Sequence, residues 1–198
     1  MAGIGLYGVY YSKAVLTDGI LTGYSGVETM GKAISASFEP VDAGGNPLYA
    51  NNGIAERDAA AGAGGTLTLT LDRLIASAAA DLFGLTETTE GDGTGFNYTG
   101  AELANPVGVA FIRWKQENND RNIHEAVIYS YVTFNEPSED FQTMEDTVEW
   151  QTPELEGTVS GGAVTGAKPW RKKFTFDSQE DAIDFITAYF ATTPIVTT

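Results

Sequence analysis

The chain has 198 residues and a net charge of −16, from 11 Lys and Arg against 27 Asp and Glu. A polyanion of that strength excludes nucleic-acid binding through neutralised phosphates and adhesion to an anionic membrane surface, and the absence of Cys excludes disulfide scaffolds and thiolate metal sites. A single histidine, His124, excludes multi-His metal sites, while 42% apolar residues suffice for a buried core with no run near the roughly 18 residues that span a bilayer.

The opening MAGIGLYGVYYSK lacks a basic start ahead of an apolar stretch, so no secretory signal is expected. Residues 34–38 (Ile-Ser-Ala-Ser-Phe) alternate as a strand does. Residues 39–58 form a long, turn-rich connection bracketed by Gly44-Gly45-Asn46-Pro47 and Asn51-Asn52-Gly53. Residues 59–65 read as a loop. Residues 66–71 repeat Thr-Leu without a break, which puts three leucines on one face and three threonines on the other. Asp72 is predicted to cap a helix running through Leu74, Ile75, Ala78, Ala79, Leu82 and Phe83, with Gly84 as its stop. Residues 107–114 and 126–134 are nearly continuously apolar, as strands covered on both faces are. Asn118-Asn119-Asp120 between them suggests a hairpin. Residues 147–152 alternate again. After Ser178, the positions Ala182, Ile183, Phe185, Ile186, Tyr189 and Phe190 make one helical apolar stripe. Many short strands with one internal helix predict a mainly β fold: a β-sandwich or partly closed barrel with a packed α-helix, plus a C-terminal helix.

A search for chemistry finds little. Residues 26–32 look superficially like a phosphate-binding loop, but Ala33 stands where a Ser or Thr would hold magnesium, and a strand rather than a helix follows. Gly91-Asp92-Gly93-Thr94-Gly95 lacks the alternate oxygen ligands of a calcium loop and reads as a turn. His124 has no Gly-x-Ser-x-Gly nucleophile to serve and reads as an ordinary strand histidine. Among 27 acids some pair falls at glycosidase spacing by chance. Two charge runs stand out. Residues 136–157 hold eight acids and no base, which is either a solvated face or a surface that repels another polyanion. Lys168, Arg171, Lys172 and Lys173 are four of the eleven bases within six positions, a patch suited to acidic partners including copies of this chain, whereas as a phosphate site it is expected to be overwhelmed by the surrounding negative field. No catalytic constellation emerges, and the chain reads as a building block rather than an enzyme.

Several segments in order carry a resemblance. They are Gly5-Leu6-Tyr7-Gly8-Val9-Tyr10-Tyr11, then residues 33–40 (AISASFEP), then residues 48–56 (LYANNGIAE), then the Thr-Leu strand leading into a helix and the strand at 107–113. The last pieces are residues 134–143 (FNEPSEDFQT) and 148–158 (VEWQTPELEGT). In these features the chain resembles the major tail proteins, or tail tube proteins, of long non-contractile-tailed bacteriophages. The resemblance covers residues 1–176, a tail tube domain; residues 177–198 form a helical extension without a counterpart in that pattern.

The resemblance implies a virion structural protein without catalysis, cofactor or metal. Its copies would form stacked, hexameric rings in the phage tail, assembled in the host cytoplasm, and DNA would pass through without specific binding. The implied partners are other copies of the chain and the tape measure, tail terminator and tail-tip proteins; no membrane is involved. An acidic bore suits this role, because a basic wall would release counterions and hold the DNA. The polar strand positions Ser35, Ser37 and Glu39, with Thr147, Glu149 and Gln151, are therefore expected to face the lumen. The connection carrying Pro47, Leu48, Tyr49, Asn52 and Ile54 is expected to touch the next ring. Arg171, Lys172 and Lys173 are expected to bridge subunits. The alternative is a β-sandwich module for carbohydrate or another surface ligand, which would need Tyr7, Tyr10, Tyr11 and Tyr24 clustered on one exposed face. An acidic hydrolase ranks third.

Overall fold

Alternating runs and the turns between them give thirteen strands and two helices among the described residues. A computed structural model describes residues 2–41, 47–50, 53–57, 64–117, 121–138, 152–161 and 169–191. In order these are β1 (Ala2–Thr17), β2 (Ile20–Tyr24), β3 (Glu28–Gly31), β4 (Ala33–Pro40), β5 (Pro47–Ala50), β6 (Gly53–Arg57), β7 (Gly64–Leu71), α1 (Ala76–Phe83), β8 (Glu87–Glu90), β9 (Gly93–Phe96), β10 (Val107–Glu117), β11 (Arg121–Phe134), β12 (Glu154–Ser160), β13 (Arg171–Phe176) and α2 (Gln179–Ala191). The turn at 118–120 and the alternating segment at 147–151 lie outside the described residues.

Nine strands make one antiparallel sheet in the order β2-β1-β10-β11-β12-β7-β4, with β13 also on β11 and β3 also on β1. The hairpins β5–β6 and β8–β9 stand apart from it. The sheet is not closed into a barrel: β4 ends the order at one side and β2 at the other. It curls so that the inner faces of β1, β10 and β11 share one core with those of β7 and β12 and with Ala78, Leu82 and Phe83 of α1. This is the β-sandwich expected from the sequence. Leu67, Leu69 and Leu71 are fully buried and alternate with half-exposed threonines. Each such leucine contributes about 1.5–3 kcal/mol by leaving water. Opposite them, Gly157 lacks a side chain for a steric reason. A Cβ there would come within 2.7 Å of both Phe134 and Val132, which fill that part of the core.

The continuous apolar character of β10 and β11 has a matching cause. One face belongs to the main core; the other, Ala110, Ile112, Ala126 and Ile128, lies beneath Ala182, Ile186 and Phe190 of α2. Spacing of four residues puts those three side chains on one helix face. Gly108 lets the helix approach, since a Cβ there would sit 2.4 Å from the Phe190 ring. Ser178 caps the helix, its Oγ accepting from the Asp181 N–H at 3.1 Å, and Glu180 and Asp181 complement the dipole of the first turn. At the far end Ser130 Oγ lies 2.7 Å from the Pro169 carbonyl and 2.8 Å from Tyr189 Oη. The serine has one proton and gives it to the carbonyl, so Tyr189 donates to the serine. Tyr24 donates to the Ser130 carbonyl at 2.8 Å, which ties β2 to the same point.

Helix α1 starts later than expected. Asp72 does not cap it; its Oδ1 accepts from the Lys32 and Arg73 N–H groups at 2.8 Å each. The Ile75 N–H donates to the Met30 carbonyl, which holds residues 73–75 out of the helix, so Ile75 takes the N-cap position in extended conformation. The end is as expected: Gly84 adopts φ 68°, and the Leu85 N–H returns to the Ala80 carbonyl. A polar cluster fastens α1 to the sheet. Tyr11 Oη lies 3.0 Å from both Glu28 and Asp81, and Lys13 donates to Asp81 at 2.8 Å. Burial, then the adjacent Asp81 and Glu28, push the Tyr11 phenol well above its ordinary pKa. The residue 39–58 connection also departs from a plain loop, because it contains the β5–β6 hairpin, with Tyr49 opposite Ile54 and Ala50 opposite Gly53.

Candidate functional site

Strand register brings the outer positions of β4, β7 and β12 into three rows: Ser35–Thr70–Glu154, Ser37–Thr68–Glu156 and Glu39–Thr66–Thr158. The β4 and β12 members are exposed and the threonines of β7 half-exposed. Ser35 Oγ donates to Thr70 Oγ1 at 2.8 Å, one of the cross-strand hydroxyl pairs that rigidify such a face. These nine positions comprise three carboxylates, six hydroxyls and no cation. The surface is hydrophilic and negative, with no group able to grip a phosphate.

Ser35, Ser37 and Glu39 therefore share one outer face, as the lumen assignment requires of them. Thr147, Glu149 and Gln151 lie outside the described residues. The positions that complete the face, Thr66, Thr68 and Thr70 on β7 and Glu154, Glu156 and Thr158 on β12, are not among the sequence-predicted ones. Their own alternation was the available signal: every second residue from Glu154 to Thr158 is polar, and the intervening Leu155, Gly157 and Val159 are buried.

The basic run does not form one patch. Successive strand side chains point to opposite faces, and β13 obeys this rule. Arg171 lies over the Phe38 ring at 4.8 Å and the Tyr129 ring at 5.5 Å, on the inner side. Lys172 lies over the Tyr189 ring at 4.5 Å, on the α2 side. Lys173 returns to the side of Arg171, where the two line a cleft with Arg113. The trio thus divides two to one across the sheet.

For the stacking connection, backbone pairing places Pro47, Leu48, Tyr49 and Ile54 on the β5–β6 hairpin, and Asn52 lies outside the described residues. The four tyrosines of the ligand-binding alternative do not gather on one exposed face. Tyr11 is buried in the main core, Tyr10 and Tyr24 pack in the α2 cluster on the opposite side, and Tyr7 is exposed. His124 sits on β11 with its ring edge-on to Trp114, centroids 5.6 Å apart. Among the described residues no group of His, Asp and Glu is placed to hold a metal ion, and no helix is long and apolar enough to cross a membrane. No protein-family model and no curated protein sequence matches the chain.

Proposed function

We propose that the chain is a structural subunit that joins copies of itself edge to edge into stacked rings, forming a tail tube of the kind its resemblance to phage major tail proteins implies. The observation that carries this reading is the cation-free outer face of β4, β7 and β12 on a sheet left open at its edge. Among the described residues β4 ends the strand order, and an edge strand without a partner presents amides and carbonyls that recruit another strand. Head-to-tail pairing that closes into a ring satisfies them and stays finite. A bore lined by Ser35, Ser37, Glu39, Glu154 and Glu156 would repel DNA phosphates rather than trap them. The β5–β6 hairpin is the element assigned to ring stacking.

Negative-stain microscopy of the concentrated chain tests this, with rings or hollow tubes as the expected result. Like-charged subunits repel over a screening length of about 8 Å at physiological ionic strength, so moderate added salt should favour assembly. Deleting residues 44–52 should leave a folded chain that no longer stacks. A chain that stays monomeric at every concentration and salt level, or a tube whose bore is lined by another face, would overturn the reading.

A further inference from the structure

Beneath the free edge of β4 the inner face of the sheet changes character. The apolar core ends at Phe111, Val127 and Tyr129, and the next positions outward are charged. Arg113 and Lys115 on β10 stand with Arg171 and Lys173 on β13, all around a single strand, β11. A cleft of about 120 Å³ opens there, lined by Arg113, Arg171 and Lys173 together with Ala36 and Phe38 of β4. In a chain of net charge −16 this is a local excess of positive charge.

Among the described residues one carboxylate answers these four cations. Glu125 is only 6% exposed, is bonded to Lys115 and lies 3.4 Å from Arg113 Nε. Neither of those contacts reaches β13. The Arg171 Nε–H is buried and has no hydrogen-bond acceptor among the described residues, although the guanidinium is held in place by the Phe38 and Tyr129 rings. A buried donor without an acceptor is costly, and a fixed guanidinium presents its donors in a fork that matches an oxyanion. We propose that this cleft is an oxyanion site, binding one carboxylate- or phosphate-type group through Arg113, Arg171 and Lys173. Partial burial of the ammonium, then the nearby Arg171, lower the Lys173 pKa against the opposing attraction of Glu125, and a bound anion would act in the same direction as Glu125. Two sources supply such a group: phosphate from solution, or an Asp or Glu side chain of a second copy, for which the free edge of β4 offers an adjoining track.

The experiment is a titration of the full chain with inorganic phosphate at constant ionic strength, read by calorimetry and by the rise in melting temperature. Saturation at one phosphate per chain is expected. Lys173→Gln and Arg171→Gln should each weaken binding roughly tenfold, the loss of a charge-assisted contact, with unchanged circular dichroism as the folding control. Sedimentation velocity separates the sources. If a second copy's carboxylate is the natural occupant, phosphate dissociates self-associated species and Lys173→Glu prevents their formation. If phosphate itself is the occupant, it saturates the site without moving the sedimentation profile. Absence of saturable phosphate binding, or binding that is equal in the wild type and both glutamine variants, overturns the site.

Discussion

Two outer faces of the same sheet have opposite fates. The face of β10 and β11 is apolar and lies under α2; the face of β4, β7 and β12 is built of hydroxyls and carboxylates and stays bare. Both begin as strands with one side on the main core. What differs is the second side, and it decides what can approach: a helix in one case, water or another polyanion in the other. The lesson is that the parity of a strand tells more about its neighbours than its overall hydrophobicity does.

The strongest way to break the contrast is to strip the covered face. Phe190→Ala removes a fully buried ring beneath which Gly108 has made room, and about 3–5 kcal/mol of stability should go with it, measured by urea unfolding. Adjacent residues of β7 then sharpen it. Leu69→Ala should cost about 2–5 kcal/mol, whereas Thr68→Ala, on the bare side, should stay within about 0.5 kcal/mol. Equal losses at the two positions would mean that the bare face is covered by something else.

Smaller effects come from the polar anchors. Ser130→Ala removes the hydroxyl that joins Tyr189 to the Pro169 carbonyl, and the loss of its two hydrogen bonds should cost about 1–3 kcal/mol in the same assay. Tyr11 and Tyr24 both have their pKa raised chiefly by burial, from an ordinary 10.0. A raised folded-state value favours the protonated phenol in the fold. That stability is complete below the unfolded-state pKa and declines as pH rises beyond about 10. Thermal melts should therefore fall steeply with alkali, and less steeply in Tyr11→Phe and Tyr24→Phe. The least perturbing test is at Glu102, whose carboxylate accepts from the Thr99 and Gly100 N–H groups and the Thr99 hydroxyl. The Thr99 amide above all draws its pKa down to about 2. Its small contribution is present above the ordinary 4.5 and lost as pH falls through about 2, so side-chain NMR should show a midpoint near that value.

Much of the architecture was legible because period and burial coincide. The Thr-Leu repeat fixed which side of β7 is core, and the stripe from Ala182 to Phe190 fixed α2 and the face it buries. Three features were not read correctly or at all. The start of α1 was misplaced because a long-range bond from Ile75 to the Met30 carbonyl outcompetes the local cap at Asp72. The turn between β1 and β2 is absent from the sequence expectations; Asp18-Gly19, with φ 53° and 77°, has the chemistry of a tight hairpin. Proximity in sequence suggests one basic patch, whereas strand parity separates Lys172 from Arg171 and Lys173. For the candidate lumen face, alternation identified which β4 residues look outward. Only register shows that β7 and β12 extend them into rows, because a sequence carries the parity of a strand but not its partner.

One edge of β11 changes partner midway: β13 occupies it as far as Tyr129 and β12 from Val132 onward, with Ser130 bonded across the gap to Trp170. Along the opposite edge β10 pairs with residues 121–132, so it spans the whole β13 stretch and reaches the first residue of the β12 stretch. Such a junction divides the molecule mechanically. Under tension the β12–β7–β4 flap could peel away while β13 and α2 kept their grip, and amide exchange would then reveal two separate openings hinged on a common backbone rail.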